Sequence, residues 1–233
     1  QHLIASVDAQ GKLVGFQHRV VAETIYGRVL PPAFKAAGNK DAPVMEGADG
    51  VYAIPGHLVQ QCLEDRGIAC SFWRGVAPGY LKFAIETMID EIAAETKQDA
   101  LKMRMDLAAK SPRAIAVMQE VAKMSDYARP RTDGRALGFA FSDTWTSFIG
   151  MVVEVSMFQG KPTVHKIWAA VDCGHALTPK NIETQIEGSA IFGLSAALGE
   201  KLSYKAGEPQ QRNLGAYNLL RASQTPIVTV KVI

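Results

Sequence analysis

Residues 135–171, RALGFAFSDTWTSFIGMVVEVSMFQGKPTVHKIWAAV, decide the fold class of this chain. Val, Ile, Phe and Trp crowd three runs, Arg135–Phe141, Phe148–Phe158 and Thr163–Val171. Such β-branched and aromatic side chains suit the pleated surface of a sheet. Gln159-Gly160 separates the last two runs by the length of a hairpin turn. Asp172-Cys173-Gly174 closes the ladder, and the Asp172 carboxylate is suited to cap that turn. Upstream the period changes. Leu81, Ile85, Met88 and Ile92 recur at three- and four-residue spacing, with Lys82, Glu86, Asp90 and Glu91 set on the opposite side, which predicts an amphipathic helix. Two further helices are predicted, over Asp99–Ala109 with Asp99 as N-cap, and over Pro112–Met124 with Ser111 capping and Pro at the first helical position. Thr178-Pro179 repeats that capping logic and opens a helix to about Leu198.

The flanks read as strands. Leu3, Ala5 and Val7 alternate with Ile4 and Ser6, turn at Ala9-Gln10-Gly11, and resume through Leu13-Val14-Gly15-Phe16 as a β-hairpin. Residues 27–57 hold no helical period and are expected to form a long irregular crossover. Phe72-Trp73-Arg74-Gly75-Val76-Ala77-Pro78-Gly79 is expected to be a strand end feeding a glycine turn. Lys201–Lys205 and Gln210–Asn213 are expected to pair around Ala206-Gly207. Pro226–Ile233 reads as a strand that stops at an apolar residue, so it should pair with something, and the chain is expected to be an internal piece of a longer one. The class is α+β, with mixed sheets and helices packed on one side.

Composition narrows the function. The 233 residues are 48% apolar and 21% charged, which excludes bulk disorder. Twenty-five Lys and Arg against 23 Asp and Glu leave a formal charge of +2, with no electrostatic footprint for nucleic acid. Three cysteines, Cys62, Cys70 and Cys173, lack metal or disulfide-scaffold spacing. There is no G-x-G-x-x-G after a strand, no P-loop, no H-E-x-x-H and no G-x-S-x-G. His165 and His175 have no ligand-spaced partner, and Cys173 has no local basic neighbour to depress its pKa, so all three read as structural.

Two segments keep chemical interest. In Phe72-Trp73-Arg74-Gly75 a guanidinium stands between aromatics and a glycine turn, either as a stacked structural cation or as a fixed fork aimed at an anion. In Thr184-Gln185-Ile186-Glu187-Gly188 a carboxamide lies on a helix rich in small residues (Gly188, Ser189, Gly193 and Ala196). There it can offer a donor and an acceptor either to a ring system or to backbone.

These segments, with FAIETMIDEIA at 83–93, MVVEVS at 151–156, AVDCGHALTP at 170–179, QIEGSAIFGLSAAL at 185–198 and Asn213, Tyr217, Leu220, Arg221 and Pro226, resemble the molybdenum-cofactor large subunit of the xanthine oxidase and aldehyde oxidase family. The likeness is greatest to its isoquinoline 1-oxidoreductase and bacterial membrane-bound aldehyde dehydrogenase branch. The resemblance implies parts of two molybdenum-binding subdomains, residues 1–132 and 133–233. It implies a molybdopterin-type molybdenum cofactor, in a form that includes the cytosine dinucleotide, and hydroxylation of an aldehyde or N-heterocycle with water as oxygen source. Electrons would leave through a 2Fe-2S partner subunit and then a cytochrome c subunit, at the periplasmic side of the inner membrane or in the cytoplasm. Arg74 matches the arginine beside molybdenum and pterin, and Gln185 the glutamine that hydrogen-bonds the pterin. Val76 stands where xanthine oxidases carry an aromatic that stacks on substrate. The family's catalytic glutamate has no counterpart among these residues, so no catalytic residue is assigned and neither Glu154 nor Glu187 takes its place. That lack leaves a non-catalytic assembly or scaffold module as the alternative.

Overall fold

In the computed structural model, which describes residues 1–233, the chain opens with the expected hairpin. β1 (His2–Val7) pairs antiparallel with β2 (Leu13–Ala22), and the Asp8 carboxylate shapes the turn by accepting from the Gln10 and Lys12 N–H groups. β3 (His57–Leu63) then lies parallel to β2, from Phe16 opposite His57 to Ala22 opposite Leu63. Parallel pairing needs a long crossover, and residues 23–56 supply it. That crossover is less irregular than its sequence suggests. It contains α1 (Tyr26–Val29), α2 (Pro31–Ala36) and a 3₁₀ turn over Ala42–Met45, each too short to display a helical period. Phe72 and Trp73 are not a strand end, since the nearest strand stops at Leu63.

α3 (Pro78–Glu95) buries Leu81, Ile85, Ile89, Ile92 and Ala93. Ile85, Ile89, Ile92 and Ala93 join Leu13 and Phe16 of β2 and Met103 of α4 (Ala100–Leu107) in one core cluster. Each fully buried aliphatic side chain there contributes about 1.5–3 kcal/mol. The expected polar face of this helix needs correction. Lys82 and Glu86 are buried rather than solvated, because each meets a charged partner from outside the helix. Asp99 caps α4 as expected, accepting from Lys102 N at 2.6 Å. Ser111 precedes α5 (Pro112–Ser125) and accepts from Ala114 N at 3.4 Å.

The second sheet has the order β4 (Arg135–Thr144), β5 (Ser147–Phe158), β6 (Lys161–Asp172) and β9 (Ile227–Val232). Two-residue connections, Trp145-Thr146 and Gln159-Gly160, leave β4, β5 and β6 no pairing but antiparallel. β9 pairs parallel to β6, from Lys166 opposite Ile227 to Val171 opposite Val232, so the terminal strand has the partner that its sequence requires. α6 (Pro179–Leu198) makes the crossover between them. Pro179 starts it as expected, but the Thr178 side chain makes no capping bond. A short hairpin, β7 (Tyr204–Lys205) with β8 (Glu208–Pro209), folds around Ala206-Gly207.

The chain forms two compact units, Gln1–Ala116 with Phe141–Phe148, and Val117–Ala140 with Ile149–Ile233.

Candidate functional site

In the first unit, Arg74 stands at the second position of a tight turn. Val76 N donates to Trp73 O at 2.8 Å, and Gly75 has φ +89°. This is the geometry of a type II turn, whose third position favours glycine because φ is positive there. The next residue, Val76, is also left-handed at φ +44°. A β-branched side chain in that region is a backbone outlier costing about 1–3 kcal/mol, which the surrounding structure must impose.

Val76 leads directly into α3. Ala77 is fully buried and packs with Val20, Ala48 and Leu81. Tyr80 donates through its hydroxyl to Val44 O at 2.9 Å, fastening the 3₁₀ turn to the helix, and burial raises its pKa. Phe72 and Trp73 are half exposed, and Phe72 meets Tyr26 edge-on at 6.3 Å. Arg74 itself is exposed. A groove of about 430 Å³ borders the segment, with Glu23, Ile25, Val44, Cys70, Ser71 and Tyr80 among its walls.

In the second unit, Gln185 is exposed on α6. Of the small residues on that helix, Ala190 and Ser195 are buried. Gly188 and Gly193 are exposed, and a Cβ added at either would touch nothing within 4 Å. Packing within the chain therefore does not require these glycines. Gly188, Ser189, Phe192 and Ala196 share the face of Gln185 by helical spacing. Ser195 instead works inward and accepts from Leu220 N at 3.0 Å, anchoring the segment that returns to β9.

Several of the residues set aside from chemistry have structural partners. Glu154 is buried and clamped between Arg131 (3.3 Å) and Arg135 (2.7 Å). His165 hydrogen-bonds Ser156 at 2.8 Å, and Asp172 caps its turn by accepting from Gly174 N at 2.9 Å. The chain has no group of three or more His, Cys, Asp or Glu able to hold a metal ion.

Sequence reading missed a charged network inside the first unit. Arg104 is fully buried against Glu86 and Asp90, and Lys82 is buried against Asp143 at 2.5 Å. The one signal was a lysine and a glutamate four residues apart on a helix flanked by apolar residues.

Each unit thus presents one of the two polar side chains singled out in the sequence. An exposed guanidinium rides on a constrained turn, and an exposed carboxamide stands on a helix face that carries glycine.

Comparison with known proteins gives the family. Residues 79–226 match the family model described as a molybdopterin cofactor-binding domain. The chain is 31% identical over 234 residues to isoquinoline 1-oxidoreductase subunit beta of Brevundimonas diminuta, covering 98% of this chain and 30% of that protein. It is 25% identical over 260 residues to the membrane-bound aldehyde dehydrogenase (pyrroloquinoline-quinone) of Gluconacetobacter polyoxogenes, covering 99% of this chain and 33% of that protein. The crystal structure of quinoline 2-oxidoreductase from Pseudomonas putida 86 shares the fold, with a TM-score of 0.77 at 11% identity over 99% of this chain and 54% of that one. The chain thus spans about a third of the length of these curated relatives. Its match over 79–226 makes it a member of the molybdopterin cofactor-binding domain family.

Proposed function

We propose that the chain is part of the molybdenum-cofactor subunit of an oxidoreductase that oxidises aldehydes or hydroxylates N-heterocycles, with water as the oxygen source. The family match carries this reading. The names of the two relatives, an isoquinoline oxidoreductase subunit and an aldehyde dehydrogenase, support the substrate classes. The subunit designation of the first supports a partner, assigned here as a 2Fe-2S protein, with a cytochrome c subunit beyond it. Location at the periplasmic side of the inner membrane goes with the same reading, supported by the words "membrane-bound" in the name of the second. Residues 1–132 and 133–233 would be parts of two molybdenum-binding subdomains.

When bound, the cofactor supplies two-electron redox chemistry at molybdenum. The chain supplies its setting. Arg74 would hold anionic oxygen through its planar fork, at a position the strained turn keeps from relaxing. Gln185 would donate to and accept from the pterin edge, and Gly188 beside it leaves room for a close approach. Fixed donors of this kind stabilise negative charge without reorganising during reaction. Val76 offers no aromatic wall, which suits substrates that are not clamped as planar purines.

Arg74→Ala and Gln185→Ala in the complete subunit test the reading. Arg74→Ala should lower turnover far more than it lowers thermal stability, and Gln185→Ala should lower the pterin content of the purified protein. Equal thermal and kinetic losses for the first, with unchanged pterin in the second, would return both side chains to structural roles.

A further inference from the structure

The first unit contains a small, partly open cavity that the proposed cofactor reading does not use. Phe16, Ala48, Gly50, Tyr52, His57 and Lys82 line it, and it leaves about 10 Å³ for the centre of a water-sized sphere. Its polar groups are unmatched in a complementary way. Lys82 is 7% exposed and spends one of its three N–H donors on Asp143 Oδ1. His57 Nε2 is buried with no hydrogen-bond partner. On the other side of that ring, Asp49 Oδ1 lies 3.7 Å from Nδ1. A carboxylate there favours the N–H on Nδ1 and leaves the lone pair of the neutral ring on Nε2. A spare donor and a bare acceptor therefore border one cavity.

We infer that this cavity is a binding site for a single water molecule, which accepts from Lys82 Nζ and donates to His57 Nε2. The space is about the minimum that holds one water, and the cavities that stay empty are the apolar ones. An ammonium ion of similar size is excluded by the charge of Lys82. The Tyr52 hydroxyl, which donates to Glu86 Oε1 at 2.9 Å, keeps a lone pair for a further contact.

The water completes a chain from Asp143 through Lys82 and His57 to Asp49. That chain ties the tip of the β4–β5 hairpin and the start of β3 to α3, the helix that begins just after Arg74. Gly50 protects it: a Cβ there would fall 2.7 Å from Asp143 Oδ2 and 2.9 Å from Lys82 Nζ.

The test is a crystal structure of the complete subunit at a resolution that orders internal water. The expected result is one density peak within about 2.7–3.2 Å of both Lys82 Nζ and His57 Nε2. In His57→Leu the peak should vanish while Lys82 stays paired with Asp143. If that variant does not fold, oxygen-17 relaxation of the wild-type subunit should report a long-lived internal water that the crystal places at this position. An empty cavity with both side chains in place overturns the inference, and so does a water bonded to neither.

Discussion

Arg104 and Glu86 meet inside the first unit, with Arg104 Nε 2.8 Å from Glu86 Oε2 and both side chains withdrawn from solvent. The same carboxylate accepts from Phe141 N at 2.9 Å and from the Tyr52 hydroxyl at 2.9 Å, so its lone pairs are well used. Burial by itself would lower the Arg104 pKa. Glu86 and Asp90 more than offset it, so the guanidinium binds its proton more tightly than usual. Tyr52 is pushed well above its ordinary pKa by burial and by Glu86.

Removing one member of such a set strands the other. Arg104→Met is expected to destabilise the folded protein by about 3–5 kcal/mol, because Glu86 becomes a buried charge without its counterion. Urea denaturation of the variant and the wild type measures it. A loss under about 1 kcal/mol would mean that water reaches the pair.

The left-handed Val76 supplies a second prediction. Val76→Gly removes a penalty of about 1–3 kcal/mol and costs about 0.5–1 kcal/mol in backbone entropy. The net should be a gain of about 1 kcal/mol in stability. Thermal denaturation of the complete subunit checks the sign. A clear loss would show that contacts of the valine methyls outweigh the strain.

Gly50 lies against the Lys82–Asp143 pair. Gly50 is exposed, and the methyl of Gly50→Ala would fall 2.7 Å from Asp143 Oδ2 and 2.9 Å from Lys82 Nζ, so the ends of this ion pair must shift, at a cost of about 1 kcal/mol. The midpoint of chemical denaturation should fall accordingly, while Gly188→Ala on α6 of the second unit, whose Cβ meets open space, should cost no stability.

His18 links stability to pH. It is fully buried, its Nε2 hydrogen-bonds Gln1 Oε1 at 2.8 Å, and burial with the neighbouring His57 lowers its pKa to about 4. The unfolded chain then binds more protons than the folded one between about pH 6.5 and pH 4. Stability is therefore full above pH 6.5 and falls as the pH drops through that window, by about 3 kcal/mol at its lower end. In His18→Leu this slope should flatten. Denaturation curves at several pH values would show it, and an unchanged slope would assign acid sensitivity to other groups.

Most elements were legible because their signals are local. The period of Leu81, Ile85 and Ile92, the carboxylate of Asp99 before α4, the proline after Ser111 and the Gln159-Gly160 turn each act within a few residues. The α+β class and the choice of Arg74 and Gln185 as residues of interest rest on such stretches. The short helices between Ala22 and His57 were not legible, since four to six residues hold barely one period. Thr178 shows the limit of a capping motif: the residue type is right, but its side chain makes no capping bond.

By itself, then, the amino-acid order determined the long helices α3 to α6, the strands of the hairpins and which side chains carry the family likeness. Tertiary structure alone decided that β3 and β9 join their sheets in parallel, that Val76 is held left-handed, and that Lys82 and Glu86 are core residues. For the two buried charges the reason is direct. A charge is stable in a protein interior only when a counterion reaches it, and here Asp143 and Arg104 arrive from 61 and 18 residues away. No periodicity on α3 records a partner held at that distance.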